Sequence, residues 1–168
     1  MRYTLSVLTA LLFAFGSLNF SVNAQTRVAI CPNPSAPCGQ FEQYKLPLRL
    51  PRRIRPNTTY RSVTFYAVVL RSLPYDETGN CDLHEPERAR VQERFPERKV
   101  FYDTQCPDLE GIAYMDAGNN QPIREVLAIY AGSTPAEAQQ VLARVRAMGG
   151  YRNARVRRMY GVFESIQC

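Results

Sequence analysis

The hydrophobic pattern is clearest in residues 124–164. Residues 125–131 are apolar and rich in β-formers, which predicts a strand. Gly132-Ser133-Thr134-Pro135 breaks it, offering Ser133 or Thr134 as a helix N-cap and Pro135 for the first turn. From Ala136 to Met148 the residues are strong helix formers, with Ala138, Val141, Leu142, Val145 and Met148 forming one apolar stripe. Gly149-Gly150 stops that helix, and an extended pattern resumes over residues 153–159.

A weaker copy precedes it. Residues 62–73 hold Val63, Phe65, Tyr66, Val68, Val69 and Leu70, a density that predicts a central strand covered on both faces, or nearly so. Residues 74–79 read as a loop. Residues 85–95 are polar, with Ala89, Val91 and Phe95 as anchors before Pro96, and predict a short surface helix. Residues 99–104 predict a strand, residues 111–115 a further short one, and residues 116–122 a turn-rich loop. The order is β-α-β, a connector, then β-α-β: an α+β fold with an antiparallel four-stranded sheet and two helices on one face.

Residues 25–60 look different. They hold Pro32, Pro34, Pro37, Pro47, Pro51 and Pro56, and residues 44–55 alternate weakly between apolar and basic or proline residues. That predicts an extended arm or edge strand, with residues 31–38 as a small loop stapled by its flanking cysteines. Residues 1–24 read as a secretory signal peptide: Arg2, an apolar run over residues 5–15, then Val22-Asn23-Ala24. The expected organisation is a leader (1–24), an arm (25–60) and a folded domain (61–168), exported to a bacterial periplasm or beyond the cell, with no span left after cleavage.

Export changes the meaning of the charge. The net charge is +6, concentrated in Arg52-Arg53 with Arg55 and in Arg155-Val-Arg157-Arg158. In the cytoplasm such clusters would suggest nucleic acid; outside it, anionic envelope polymers or membrane head groups are the better partners. All five cysteines, Cys31, Cys38, Cys81, Cys106 and Cys168, follow residue 24, which suggests disulfides and one odd thiol. His84 is the single histidine and no Cys-x-x-Cys occurs, so neither a metal nor a cofactor is expected. Without a nucleophile elbow, a phosphate-cradling loop or a zinc signature, the chain reads as noncatalytic. Asp103, Asp108, Glu110 and Asp116 are the carboxylates from which a glycosidase-like pair could be drawn.

With this order of elements, the chain resembles SPOR domains, bacterial envelope modules of βαββαβ order that bind peptidoglycan glycan strands stripped of stem peptides. Ala131-Gly132 and the Ser-Thr-Pro-Ala-Glu-Ala138 that follows resemble the family's Val-Gly-Pro-Phe turn and its alanine-bearing helix. Gly150-Tyr-Arg-Asn-Ala-Arg-Val156 resembles the approach to its last strand, and Tyr66-Ala-Val-Val-Leu-Arg-Ser-Leu73 lies over its Tyr-x-Val-Gln-Leu-Gly-Ser-Phe. The likeness covers residues 62–164. The family's glutamine is Val69 here and its turn glycine Arg71, so the fold carries over better than the ligand. In such a sheet the first and second strands run parallel, placing Cys81 beside Cys106 as the first disulfide to expect. Cys168 would lie near the arm, where it could compete for Cys31 or Cys38.

Alternation then divides the sheet. Tyr66, Val68, Leu70, Leu127, Ile129, Ala131 and Val156 would face the helices. Phe65, Ala67, Val69, Arg71, Val126, Ala128, Tyr130, Arg155 and Arg157 would face away, and either Phe101 or Tyr102 would join them. If that second face is open, Phe65, Val69, Arg71, Tyr130, Arg155 and Arg157 are the ligand-binding residues, rings stacking on sugars and guanidinium groups binding carboxylates. The expected function is then a noncatalytic SPOR-like domain binding peptidoglycan or another envelope glycan. If the arm covers that face, Phe65 and Tyr130 are core, and the chain is a disulfide-stabilised protein-interaction domain instead.

Overall fold

A computed structural model describes residues 25–35, 38, 41, 44–72, 85–103, 112–123 and 125–165. The leader, the 74–79 loop, Cys81, His84, Cys106, Asp108, Glu110 and Cys168 lie outside these residues, and with them the Cys81–Cys106 pairing. In chain order the elements are β1 (Gln25–Val28), β2 (Thr58–Ser62), β3 (Phe65–Ser72), α1 (Glu85–Arg94), β4 (Val100–Asp103), β5 (Ala113–Asp116), β6 (Val126–Gly132), α2 (Pro135–Ala147) and β7 (Arg155–Ser165).

The fold is α+β, and the hydrogen-bonded path through its sheet runs β1-β2-β7-β3-β6-β4, with β5 also pairing β7. The four strands expected from sequence are its β7-β3-β6-β4 portion, all antiparallel neighbours. The expectation of four strands is corrected to seven, and of an antiparallel sheet to a mixed one, because β1 pairs parallel with β2. The reason is the length of β7. Its 11 residues outrun β3, so residues 162–165 pair β2 and residues 159–162 pair β5. β1, with three of its four residues exposed, carries no hydrophobic signal to reveal it.

The helix signals act as their chemistry dictates. Thr134 caps α2, its Oγ1 accepting from Glu137 N while the Glu137 carboxylate accepts from Thr134 N, and Pro135 occupies the first turn. Gly149 and Gly150 take positive φ and end the helix. Ala138, Val141, Leu142 and Val145 bury one face of α2 against Val68, Leu127, Ile129 and Ala131. α1 adds Val91 and Phe95, and Gln92 ties its end to the sheet by bonding Phe95 O, Arg98 O and Val100 N.

The opposite face is covered as well. Leu46 and Leu48, each at most 1% exposed, join Tyr60, Phe65, Ala67, Val69, Phe101, Tyr114, Val126, Ala128 and Met159 in a second core. The arm reaches this face around the outer edge of β4. Tyr44 stacks on Tyr102 with ring centroids 4.4 Å apart, and its carbonyl accepts from Tyr102 N. Lys45 then ion-pairs with Asp103 at 2.6 Å, and the Tyr114 hydroxyl accepts from Leu46 N at 2.7 Å. The arm turns back on itself where Ile30 bridges Leu48, and Cys31 is bridged to Cys38. Gly161 lets Leu48 sit close to β7, since a Cβ there would lie 3.2 Å from Leu48 Cδ2 and 3.0 Å from Ile112 Cγ2.

Candidate functional site: an arginine-lined cleft at the end of the sheet

The six candidate ligand-binding residues separate into core and surface. Phe65 and Val69 lie at 1% and 3% exposure beneath the arm. Tyr130 packs its ring 5.7 Å from Phe65 and is half-buried, and that burial pushes its hydroxyl pKa up. These residues are components of the second core. Arg157 is held by Asp116 at 3.1 Å. Arg155 is exposed at the start of β7.

Arg71 has moved to the other face. Simple alternation places it with Val69, but the register between β3 and β6 shifts between Val69 and Arg71. Leu70 is the extra residue of that bulge, so Arg71 pairs with Leu127, a helix-side residue. From there Arg71 Nε reaches Glu87 on α1 at 3.1 Å. The Glu87 carboxylate also accepts from the Tyr151 hydroxyl at 3.0 Å. Burial is the first cause of the raised pKa of Tyr151, and Glu87 adds to it.

Arg71 and Arg155 meet at a shallow open cleft of about 620 Å³, lined by Val69, Leu70, Arg71, Ser72, Asn153 and Arg155. Arg71 also lines a second cleft of about 450 Å³, shared with Arg90 and Arg94 of α1 and the Met148–Tyr151 turn after α2. Among the described residues the sheet end is therefore basic, with Glu87 as the acid between the arginines. Among the described residues Arg71 is held through Nε, and its Nη nitrogens offer N–H donors to a ligand. Such a rim suits a planar carboxylate or another oxyanion, contacted bidentately. Ser72 and Asn153 add neutral hydrogen-bonding groups beside it.

Sequence reasoning found Val69, Arg71 and Arg155 of this cleft. It missed Leu70, Ser72 and Asn153, since a bulge leaves no mark in a period-two pattern. Arg90 and Arg94 could have been found, because they lie one turn apart on the helix expected over residues 85–95.

Of the candidate acids, Asp103 and Asp116 are among the described residues, and both are held by partners within the fold. Asp103 is buried with Lys45; burial pushes its carboxyl pKa above the usual range, and the nearby ammonium opposes that rise. Tyr114, fully buried beside this pair, has its hydroxyl pKa driven well up by burial first and by the Asp103 charge second. Asp116 accepts from Arg157 and from Gly118 N. Among the described residues no three His, Cys, Asp or Glu side chains gather as metal ligands, and no helix is long and apolar enough to cross a membrane.

Architecture and site define a class: an α+β domain whose sheet is packed on both sides and which carries an exposed basic cleft at one end. In comparisons with known proteins the chain matches no family model, no curated protein and no solved structure.

Proposed function

We propose that the protein is an exported, noncatalytic, SPOR-like domain that takes carboxylate-bearing strands of peptidoglycan or another envelope glycan into the Arg71–Arg155 cleft. The β7-β3-β6-β4 order supports the likeness to SPOR domains, and the leader-like residues 1–24 support export. The observation that carries the reading is the convergence of two exposed arginines, Ser72 and Asn153 on one open cleft while the adjoining sheet face is filled. Ligand contact is thus moved from the sheet face to its end, and it rests on guanidinium groups rather than on Phe65 and Tyr130.

Retention on purified sacculi tests this, with and without prior amidase treatment. The protein should co-sediment, and Arg71→Gln with Arg155→Gln should weaken retention on the order of a hundred-fold, at about ten-fold for each charge-assisted hydrogen bond lost. Absence of retention from both preparations would sink the idea. The covered sheet face favours one other reading, a disulfide-stabilised domain that binds a protein. A folded protein that ignores sacculi would move the assignment there.

A further inference from the structure

The loop between the arm and β2 is absorbed by neither the core nor the cleft. It runs Pro51-Arg52-Arg53-Ile54-Arg55-Pro56, and all six residues are exposed. Ile54, at 41%, is one of two exposed large hydrophobics among the described residues. The loop is nevertheless ordered from below. Arg55 N donates to the hydroxyl of buried Tyr60 at 2.8 Å, Thr58 Oγ1 donates to Pro56 O at 3.2 Å, and Asn57 N donates to Ser165 O at 3.0 Å. Two flanking prolines restrict it further.

Two further arginines lie on the strands that follow the loop in space. Arg27 on β1 and Arg61 on β2 are register partners, a like-charge pairing that costs stability unless something offsets it. Arg61 is stacked over the Tyr160 ring at 3.6 Å. Among the described residues no carboxylate is ion-paired with Arg27, Arg52, Arg53, Arg55 or Arg61.

We propose that this end of the molecule, with Ile54 at its tip and Arg52, Arg53 and Arg55 around it, docks on an anionic lipid surface. Charge complementarity accounts for the arginines. Ile54 selects lipid over a hydrated polymer: an apolar side chain held outward between guanidinium groups gains nothing from a solvated polyanion, but it enters the boundary between head groups and acyl chains. β1 begins at Gln25, in register with Thr59 just after this loop. The proposal is independent of the glycan reading, because it uses none of the cleft residues.

The test is flotation of the purified protein with vesicles of phosphatidylcholine alone and of phosphatidylcholine mixed with phosphatidylglycerol, read as the ratio of binding to the two. That ratio is insensitive to whether residues 1–24 remain attached, since an apolar anchor would enter both. It should strongly favour the anionic vesicles and fall with salt. It should drop on the order of a hundred-fold in Arg52→Gln/Arg53→Gln/Arg55→Gln, at about five-fold per arginine. Ile54→Ser should lower binding to anionic vesicles at unchanged charge. Arg71→Gln/Arg155→Gln should leave the ratio intact while it weakens retention on sacculi. A wild-type ratio near one would overturn the proposal, as would a ratio unmoved by the loop triple variant. So would Ile54→Ser binding like wild type, which would reassign the loop to a soluble polyanion.

Discussion

The two faces of the sheet are equally buried but covered by different means. On one, α2 lies across the strands with an N-cap, a capping box, a proline in the first turn and two terminating glycines, each visible in sequence. On the other lie residues 44–50, with no regular structure beyond the Ile30–Leu48 bridge, held by Lys45–Asp103, two bonds to the Tyr114 hydroxyl and the Tyr44–Tyr102 stack. A helix satisfies its own backbone, so its cover needs only an apolar stripe. An irregular arm does not, and its buried amides and carbonyls require partners from the domain beneath. The arm therefore brings polar groups into the interior, whereas the helix face is almost wholly apolar. The arm should be the side more sensitive to single polar changes.

The largest effect expected from that contrast is Lys45→Met. Removing the ammonium leaves Asp103 as an unpaired buried carboxylate, at a cost of about 3–5 kcal/mol, read from urea unfolding at neutral pH. The deficit should shrink in acid. A buried carboxyl with a raised folded-state pKa contributes stability that is fully present below the unfolded pKa and is lost as pH rises through the folded one. A deficit constant with pH would show that Asp103 is not the cause.

Leu46→Ala should cost about 2–4 kcal/mol, comparable with Leu142→Ala on the helix face. A cost near zero for Leu46 alone would mean that the arm does not belong to the cooperative unit. Cys31→Ser should lower stability by about 2–3 kcal/mol from the short loop it opens, a loss that reducing agent should reproduce in the wild type.

Thr134→Ala is the smallest, about 1 kcal/mol. The Thr134 side chain and the Thr134 and Ser133 amides hold the Glu137 carboxyl below the usual glutamate range. Its contribution is present above the unfolded pKa and lost as pH falls through the folded one. Thr134→Ala should therefore flatten the acid limb of the stability profile, measured as urea midpoint against pH.

This contrast also explains what could be read from the chain. The division of β3, β6 and β7 into two faces was legible residue by residue, from Tyr66, Val68, Leu127, Ile129 and Val156 on one side to Phe65, Ala67, Val126 and Ala128 on the other. The ends of α2 were legible because capping chemistry is local. The cover over the second face was not. Leu46, Leu48 and Leu50 are spaced by two like any strand, and nothing local tells whether their partner is solvent, another chain or this sheet. Arg71 was assigned to the wrong face because the bulge at Leu70 is settled by tertiary packing against β6. β1 escaped notice because exposed Gln25, Thr26 and Arg27 give no burial signal. The cleft was half-visible: its arginines announce themselves, whereas Ser72 and Asn153 reach it only through the fold.

Native-state amide hydrogen exchange on the whole protein tests the central claim, that the arm is part of the folded core and closes the sheet face. The Leu46 and Tyr102 amides, which donate to the Tyr114 hydroxyl and the Tyr44 carbonyl, should exchange only through global unfolding, at the free energy of the Val141 and Val145 amides in α2. Exchange of Leu46 and Tyr102 at markedly lower free energy, with α2 still protected, would show an arm that opens on its own and would contradict the account.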